Sequence, residues 1–398
     1  MTELPVIRLR PKSKPQAIRH GFPWVFADEA VLDRRTRALP PGGFAVLEDA
    51  DRRPMALVTV NAASKIVARV MDADPAARID RGWLGGRIKR ALALRARLYD
   101  TPFYRLVHAE ADGLPGLVID RFGEVAVIQP NAAWADAMAA EIAAALAEVA
   151  GLSTVILNGQ GRARGLEGLD ERMEVLLGQA PEAPLPVAMN GATYLADLMG
   201  GQKTGLFYDQ RPNHAFAQRL AKGAAVLDVF SHVGGFGLAA LAAGAERATC
   251  VDGSAAALEL AAGGARAMGM AERLDCVQSD AFKAMEQMAE DGRRFDLVVC
   301  DPPAFAPSKP ALEAGLRAYE RVAKLAAPLV APGGFLVLCS CSHAADLAQF
   351  RNVSARGIGR GGRRGVLIHS GQTGPDHPVL PQLAETGYLK ALFFRLDG

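Results

Sequence analysis

The residues with chemical capacity gather in the second half of the chain. Asp228-Val229-Phe230-Ser231-His232-Val233-Gly234-Gly235-Phe236-Gly237 begins inside an apolar run, 225–230, and leads into a helical stretch. Glycines at such a turn let a ligand approach the backbone at a helix N-terminus. A dinucleotide loop spaces its glycines G-x-G-x-x-G beneath a pyrophosphate. This stretch lacks that spacing and sets a carboxylate, Asp228, at the strand end. A carboxylate there repels a pyrophosphate but accepts hydrogen bonds from an ammonium group. The next apolar run ends in Val251-Asp252-Gly253-Ser254, and an acid at that tip can hold ribose hydroxyls. The third run is followed by Ser279-Asp280-Ala281-Phe282, where Asp280 can accept from an adenine amino group. Each Asp can equally be a helix N-cap. Three at successive strand tips, with the glycine loop, describe a pocket for an adenosine carrying a cationic amino-acid tail. S-adenosylmethionine has that structure and is the expected cofactor.

Two further motifs concern a substrate. Asp301-Pro302-Pro303-Ala304-Phe305 follows the apolar run 297–300. Paired prolines fix an extended loop without amide donors, which leaves Asp301 and the backbone carbonyls as acceptors. Such a loop suits a base that presents N–H groups, although alone it is also a stiff turn. Phe335-Leu336-Val337-Leu338-Cys339-Ser340-Cys341-Ser342-His343 closes another buried strand. Alternation puts Cys339 and Cys341 on one face. Cys341 is nearer the C-terminal end, where open α/β sheets bind ligands. A thiol whose pKa is lowered by a nearby positive charge or a helix dipole becomes a nucleophile. Added to C6 of a pyrimidine, it makes C5 nucleophilic enough to take a sulfonium methyl; loss of the C5 proton then expels the thiol. An inert core cysteine is the alternative, and it is the expectation for Cys250, Cys276, Cys300 and Cys339. Zinc on Cys339, Cys341 and His343 would need a second ligand pair, and none has metal-site spacing, so no metal is expected.

The elements that must position these groups follow from the apolar pattern. Runs at 225–230, 248–251, 275–278, 297–300 and 335–339 alternate with helical stretches. Strands this apolar imply a parallel sheet covered on both faces, an α/β fold of Rossmann type. Upstream, short β-rich runs at 44–47, 55–60 and 66–71 are separated by turn residues and suit a small β-barrel. Residues 80–99 read as a basic helix with Trp83, Ile88, Leu92 and Leu98 at roughly helical spacing. Strands at 105–108, 117–120, 125–129 and 154–157, with a helix over 132–149, make a central α+β region. Pro181-Glu182-Ala183-Pro184-Leu185-Pro186 reads as a linker. The expected domains are therefore 1–75, 76–185 and 186–398.

Charge and composition bound the partners. The formal net charge is +2, yet residues 1–97 carry 19 Lys/Arg against 10 Asp/Glu and the remainder 26 against 33. A basic N-terminal third points to a polyanion such as RNA, or to a solvated basic face. Arg351, Arg356, Arg360, Arg363 and Arg364, threaded with glycine, read as a flexible basic loop. Half the residues are hydrophobic and 22% are charged, which excludes pervasive disorder. No apolar run approaches the roughly 18 residues of a membrane span, so no membrane partner is expected. The N-terminus lacks a signal-peptide pattern, and an odd count of five cysteines argues for thiols. The expected setting is cytoplasmic, with a homodimer left open.

Together these residues resemble the class I S-adenosylmethionine-dependent 5-methylcytosine methyltransferases of large-subunit ribosomal RNA, the RlmI type. The resemblance covers nearly the whole chain. It runs through Arg19 to Phe26 and Ile66 to Arg69 of a PUA-like barrel, then Glu110 to Leu117 and Asp120-Arg121. It continues through Lys203-Thr204-Gly205, Asp209-Gln210-Arg211, the glycine loop, Asp301-Pro302-Pro303 and Ser340-Cys341-Ser342. It ends with Asp376-His377-Pro378 and Tyr388-Leu389-Lys390. It implies that Cys341 is the nucleophile, with Asp301 beside it. It also implies a cofactor pocket of Asp228, Phe230, Ser231, Gly234, Gly235, Phe236, Asp252, Gly253, Ser254, Asp280, Ala281 and Asp209-Gln210-Arg211. Ala304 stands where RNA 5-methylcytosine enzymes of another type carry a second cysteine, so removal of the C5 proton needs some other base. His377, Glu385 and Lys390 match the family pattern and are expected to serve packing. An N-methyltransferase using the Asp-Pro-Pro loop without a thiol is the rival enzyme, although Phe305 falls one place later than its usual aromatic. A non-catalytic RNA-binding assembly factor is the rival outside enzymes.

Overall fold

The computed structural model describes residues 4–200 and 205–397; Lys203 and Thr204 of the resemblance lie outside them. The chain forms two compact units. One runs to Glu182 and includes Pro375–Thr386; the other spans Ala183–Gly374 and the segment from Gly387.

The first unit holds two five-stranded sheets. Val6–Arg8, Trp24–Phe26, Gly43–Glu48, Pro54–Val60 and Ile66–Asp72 form one, in the order first, third, fourth, fifth, second. Ile7, Val25, Ala45, Leu47, Val58 and Val67 fill its core. Its first two strands have three residues each, too short for an alternation to show in sequence. The basic helix spans Arg81–Leu98, with Asp80 as N-cap accepting from the Trp83 amide at 2.9 Å. Its buried stripe is Leu84, Ile88, Ala91 and Arg95, whereas Leu98, expected inward, is 39% exposed. Arg95 can be buried because its guanidinium forks onto Asp112 at 2.6 and 2.8 Å and donates to the Asp376 carbonyl at 2.6 Å. The second sheet runs Met173–Leu177, Thr154–Asn158, Val125–Pro130, Leu117–Phe122, Phe103–His108. The single helix expected over 132–149 is two, Ala133–Ala137 and Ala139–Ala150, divided at Met138.

The second unit is built on a seven-stranded sheet. Its strands are β1 (Ala225–Val229), β2 (Arg247–Asp252), β3 (Leu274–Gln278), β4 (Phe295–Cys300), β5 (Val330–Ser340), β6 (Gly365–Gly371) and β7 (Lys390–Leu396). The spatial order is β3-β2-β1-β4-β5-β7-β6. Strands β1 to β5 are parallel, but β7 runs antiparallel between β5 and β6, so the sheet is not parallel throughout. Helices α1 (Gly235–Ala242), α2 (Ala255–Ala267), α3 (Ala281–Glu290), α4 (Leu312–Ala326) and α5 (Leu347–Arg360) complete the layers. The order reverses beside β1. Connections leave β1 and β4 in opposite directions and open a crevice at their C-terminal ends.

Two expectations are corrected. The arginine cluster at 351–364 is mostly helix α5, not a flexible loop. Asp346 and Gln349 close a capping box at its start, and Arg356 and Arg360 both pair with Glu320 of α4. Gly357 marks close helix contact: a Cβ there would lie 2.5 Å from the Glu320 carbonyl oxygen. Cys276, expected in the core, is exposed because β3 is the edge strand of the sheet.

Candidate active site

The glycine loop reverses direction through left-handed backbone at alternate residues: Phe230 (φ 62°), His232 (φ 49°) and Gly234 (φ 79°). Non-glycine residues hold that conformation only when their surroundings enforce it, and such strain clusters at functional sites. The Ser231 amide is fixed to the Val251 carbonyl at 3.1 Å. Asp228 is buried, and its Oδ2 accepts from the amides of Phe236 (3.1 Å) and Gly237 (2.8 Å) at the start of α1. Its Oδ1 is buried with no hydrogen-bond partner among the described residues. Burial pushes the Asp228 carboxyl up to about 7, while the two amides act in the opposite sense. A buried, unmatched carboxylate oxygen at a helix N-terminus fits a cationic donor.

Asp252 joins the loop to the tip of β2. Its Oδ2 accepts from the His232 amide at 2.8 Å and its Oδ1 from the Ser254 amide at 2.9 Å. Two of the roughly four acceptor positions of a carboxylate are thereby used. Ser254, not Asp252, is the N-cap of α2, and Gly253 between them borders open space. Asp280 is the N-cap of α3, accepting from the amides of Phe282 (3.1 Å) and Lys283 (3.0 Å), and Ala281 is buried behind it. All three acids hold backbone amides, so a ligand would draw on the remaining acceptor positions of the same carboxylates.

Asp301 follows β4, its amide donating to the Val229 carbonyl at 3.2 Å. Its Oδ2 accepts from Gln210 Nε2 at 2.9 Å, and Gln210 Oε1 accepts from Asn213 Nδ2 at 2.6 Å. Asp209 accepts from the Tyr388 hydroxyl at 2.6 Å, and the Arg211 carbonyl accepts from Asn190 at 2.8 Å. The Asp209-Gln210-Arg211 stretch therefore meets the Asp-Pro-Pro loop through Gln210. Asn213 has no place among the sequence motifs, and the contact of Tyr388, quoted there only as part of the resemblance, lies 179 positions away along the chain.

The thiols separate as their positions dictate. Strand β5 ends at Ser340, so Cys341 lies one residue past the strand rather than last on it, and it is half-buried. Cys339 is 1% exposed, and burial raises its thiol well above the ordinary value. Ser342 anchors the turn: its Oγ shares a hydrogen bond with the Tyr319 hydroxyl at 2.7 Å and accepts from the Ala306 amide at 2.9 Å. Phe305 packs on Tyr319 at 5.0 Å between centroids, and Phe230, Phe282 and Phe305 form a ring cluster at 6.2–6.4 Å. Lys390 opens β7 with its Nζ buried, donating to the carbonyls of Ser342 (2.6 Å) and Ala345 (2.8 Å). The structural role expected of it takes the form of these two hydrogen bonds, which tie β7 to the turn after Cys341. His377, in the other unit, is buried against Asp376 at 3.0 Å.

Residues 141–395 match the family described as S-adenosylmethionine-dependent methyltransferase. This chain belongs to that family. Residues 7–73 match the PUA-like domain. Ribosomal RNA large subunit methyltransferase I of Klebsiella pneumoniae subsp. pneumoniae is 32% identical over 390 residues, 97% of each chain. Ribosomal RNA large subunit methyltransferase of Deinococcus radiodurans is 34% identical over 409 residues, 99% of this chain and 98% of the other. A solved chain described as a SAM-dependent methyltransferase from Streptococcus mutans covers 98% of this chain and all of its own at a TM-score of 0.82, with 18% identity. A second, complexed with SAH, covers 99% and 100% at a TM-score of 0.82 and 19% identity. At those identities the likeness is one of fold. The enzyme is a methyltransferase whose cofactor is S-adenosylmethionine. Among the described residues no helix is long and apolar enough to cross a membrane.

Proposed function

We propose that this enzyme methylates carbon 5 of a cytidine in large-subunit ribosomal RNA through a Cys341 thiolate. Its main support is the position of Cys341, half-buried one residue past β5, at the ligand-binding end of the sheet. Relatives over the whole chain are named ribosomal RNA large subunit methyltransferases, and the basic PUA-like region suits an RNA; a cytoplasmic setting accords with such a substrate.

Bound, the cofactor supplies an electrophilic sulfonium methyl. Asp228 Oδ1, with Phe230, Ser231, Gly234, Gly235 and Phe236, holds its amino-acid end at the start of α1. Asp252, with Gly253 and Ser254, takes the ribose hydroxyls, Asp280 and Ala281 border the adenine, and Asp209-Gln210-Arg211 closes the pocket. Asp301 accepts from the exocyclic amine of the target cytosine. Cys341 sulfur bonds to C6, and C5 carries the electron pair that takes the methyl. Loss of the C5 proton to a base then restores the double bond and breaks the sulfur–carbon bond, returning the thiolate. Serine cannot replace Cys341, because its hydroxyl is far less acidic.

Incubation with labelled S-adenosylmethionine and ribosomal RNA, followed by nucleoside analysis, is expected to yield 5-methylcytidine. RNA containing 5-fluorocytidine is expected to trap a covalent adduct on Cys341, because fluorine blocks loss of the C5 substituent. Cys341→Ser should keep cofactor affinity and lose methyl transfer by orders of magnitude. Methylation surviving in that variant, or product methylated on nitrogen, rejects the thiolate route in favour of an N-methyltransferase.

A further inference from the structure

We propose that Lys390 is a positioning residue that keeps Cys341 in its thiolate form by fixing an ammonium in the turn that carries it. This rests on Cys341 being the nucleophile.

Strand β7 runs antiparallel to β5 with Lys390 opposite Ser340, the residue before Cys341. The side chain therefore starts beside the end of β5 and ends in the turn. Its Nζ donates to the Ser342 and Ala345 carbonyls, so two of the three ammonium donors are fixed on either side of the stretch after the cysteine. The residue is 8% exposed, and no carboxylate lies within ion-pair distance of Nζ among the described residues. A buried charge without a counter-charge is costly. The nearby acid, Asp346, keeps its charge while it caps α5, accepting from the Gln349 amide at 2.7 Å, but makes no ion-pair contact with Nζ among the described residues. Tyr319, from α4, stays neutral, because burial raises its hydroxyl above the ordinary value. His343 lies against the Tyr388 ring at 5.4 Å, and the Asp301 carboxylate after β4 is bonded to Gln210. A Cys341 thiolate is the anion that this ammonium lacks. Burial lowers the Lys390 ammonium, while Cys341 and Asp346 raise it again. Such coupling is reciprocal, so the same charge lowers the thiol.

A purely structural tie would act through the two carbonyl hydrogen bonds and leave the thiol's titration alone. The test is the pH dependence of iodoacetamide alkylation at Cys341, read by mass spectrometry. It uses the full chain with Cys276→Ser removing the exposed thiol. The parent should alkylate with a midpoint below the roughly 8.5 of an ordinary cysteine. Lys390→Met should raise that midpoint and slow alkylation at pH 7 about tenfold or more. Lys390→Arg should restore the low midpoint, whereas Lys390→Gln, which keeps a donor but no charge, should not. Equal midpoints for the parent and Lys390→Met overturn the proposal. If Lys390→Met does not fold, equal midpoints for the Arg and Gln variants overturn it. Methylation surviving in Cys341→Ser removes the nucleophile assignment but leaves a midpoint shift intact, so the two failures are distinguishable.

Discussion

Gln210 Nε2 donates to Asp301 Oδ2 at 2.9 Å across 91 positions of sequence, and Asn213 fixes the other end of the Gln210 amide at 2.6 Å. The carboxylate beside the paired prolines is thus oriented by a residue from before the sheet begins. Removing such a donor costs about 1–3 kcal/mol. Gln210→Ala should therefore slow methyl transfer roughly ten- to a hundredfold, if Asp301 orients the substrate base. Gln210→Glu sets two carboxylates together and raises the carboxyl pKa of the pair. Its pH–rate profile should shift toward higher pH on the limb that reports Asp301 ionisation. A profile superimposable on the parent's would separate Asp301 from the reaction.

Asp228 makes stability depend on pH. Its carboxyl is pushed up to about 7 by burial, against an ordinary 3.8. The folded protein then holds this proton more tightly than the unfolded chain does. The stabilisation is full below about pH 4 and is lost as pH rises through about 7, at up to about 1.4 kcal/mol per unit. Asp228→Asn cannot titrate, yet its amide oxygen can still accept from the Phe236 and Gly237 amides. The cofactor-free variant should gain in melting temperature over the parent between about pH 5 and pH 8. If Asp228 meets the cofactor's ammonium group as proposed, the variant should also bind S-adenosylmethionine more weakly. A melting-temperature difference that stays constant across that range would show that Asp228 does not titrate there.

The strand tips were legible because each rests on a local signal, an apolar run ended by an acid. What the acids contact was not, since a cap and a ligand contact would call for the same residue type at the same place; at Asp280 the structure shows the cap. Helix α5 was hidden by its own glycines. Gly357 lowers local helix propensity, yet close contact with α4 requires it, so tertiary packing overrides the local preference. Strand β6 was missed because Gly365, Val366, Leu367 and Ile368 are all exposed and show no alternation of faces. The contacts of Lys390 were not legible, because its partners are backbone carbonyls, which no side-chain pattern announces.

Arg69 ties the PUA-like region to the central sheet within the first unit. Its guanidinium bridges Glu110 at 3.2 Å and Glu167 at 2.9 Å. The Trp24 indole also donates to Glu110 (2.8 Å), and Asn61 and Ser64 donate to Glu167 (3.1 and 2.9 Å). Removing one member of a buried ionic cluster leaves the others uncompensated, at about 3–5 kcal/mol. Arg69→Met should lower the denaturant midpoint accordingly. A loss below about 1 kcal/mol would mean that water replaces the arginine. Deleting residues 1–75 would strip the same acids of their partners, so truncation confounds folding with RNA binding.

Surface substitution tests RNA binding without that confusion. Many basic residues of the N-terminal third are internally matched: Arg8 with Glu48, Arg19 with Asp49, Arg87 with Asp72, Arg95 with Asp112. Arg34 and Arg35, on the short helix Arg34–Arg37, are exposed and have no acid within ion-pair distance among the described residues. Charges left uncommitted by the fold can displace counterions from a nucleic-acid backbone. Each phosphate contact contributes roughly 0.7–0.9 to the slope of log affinity against log salt. The double variant Arg34→Gln/Arg35→Gln should reduce that slope by up to about 1.4–1.8 and weaken binding across RNA sequences alike. Its melting temperature and S-adenosylmethionine affinity should match the parent's. Titrations at several salt concentrations read the slope directly. An unchanged slope would mean that these two arginines only solvate the surface, and the phosphate contacts would then have to come from other exposed charges, Lys12, Lys14, Lys89 and Arg90 first among them.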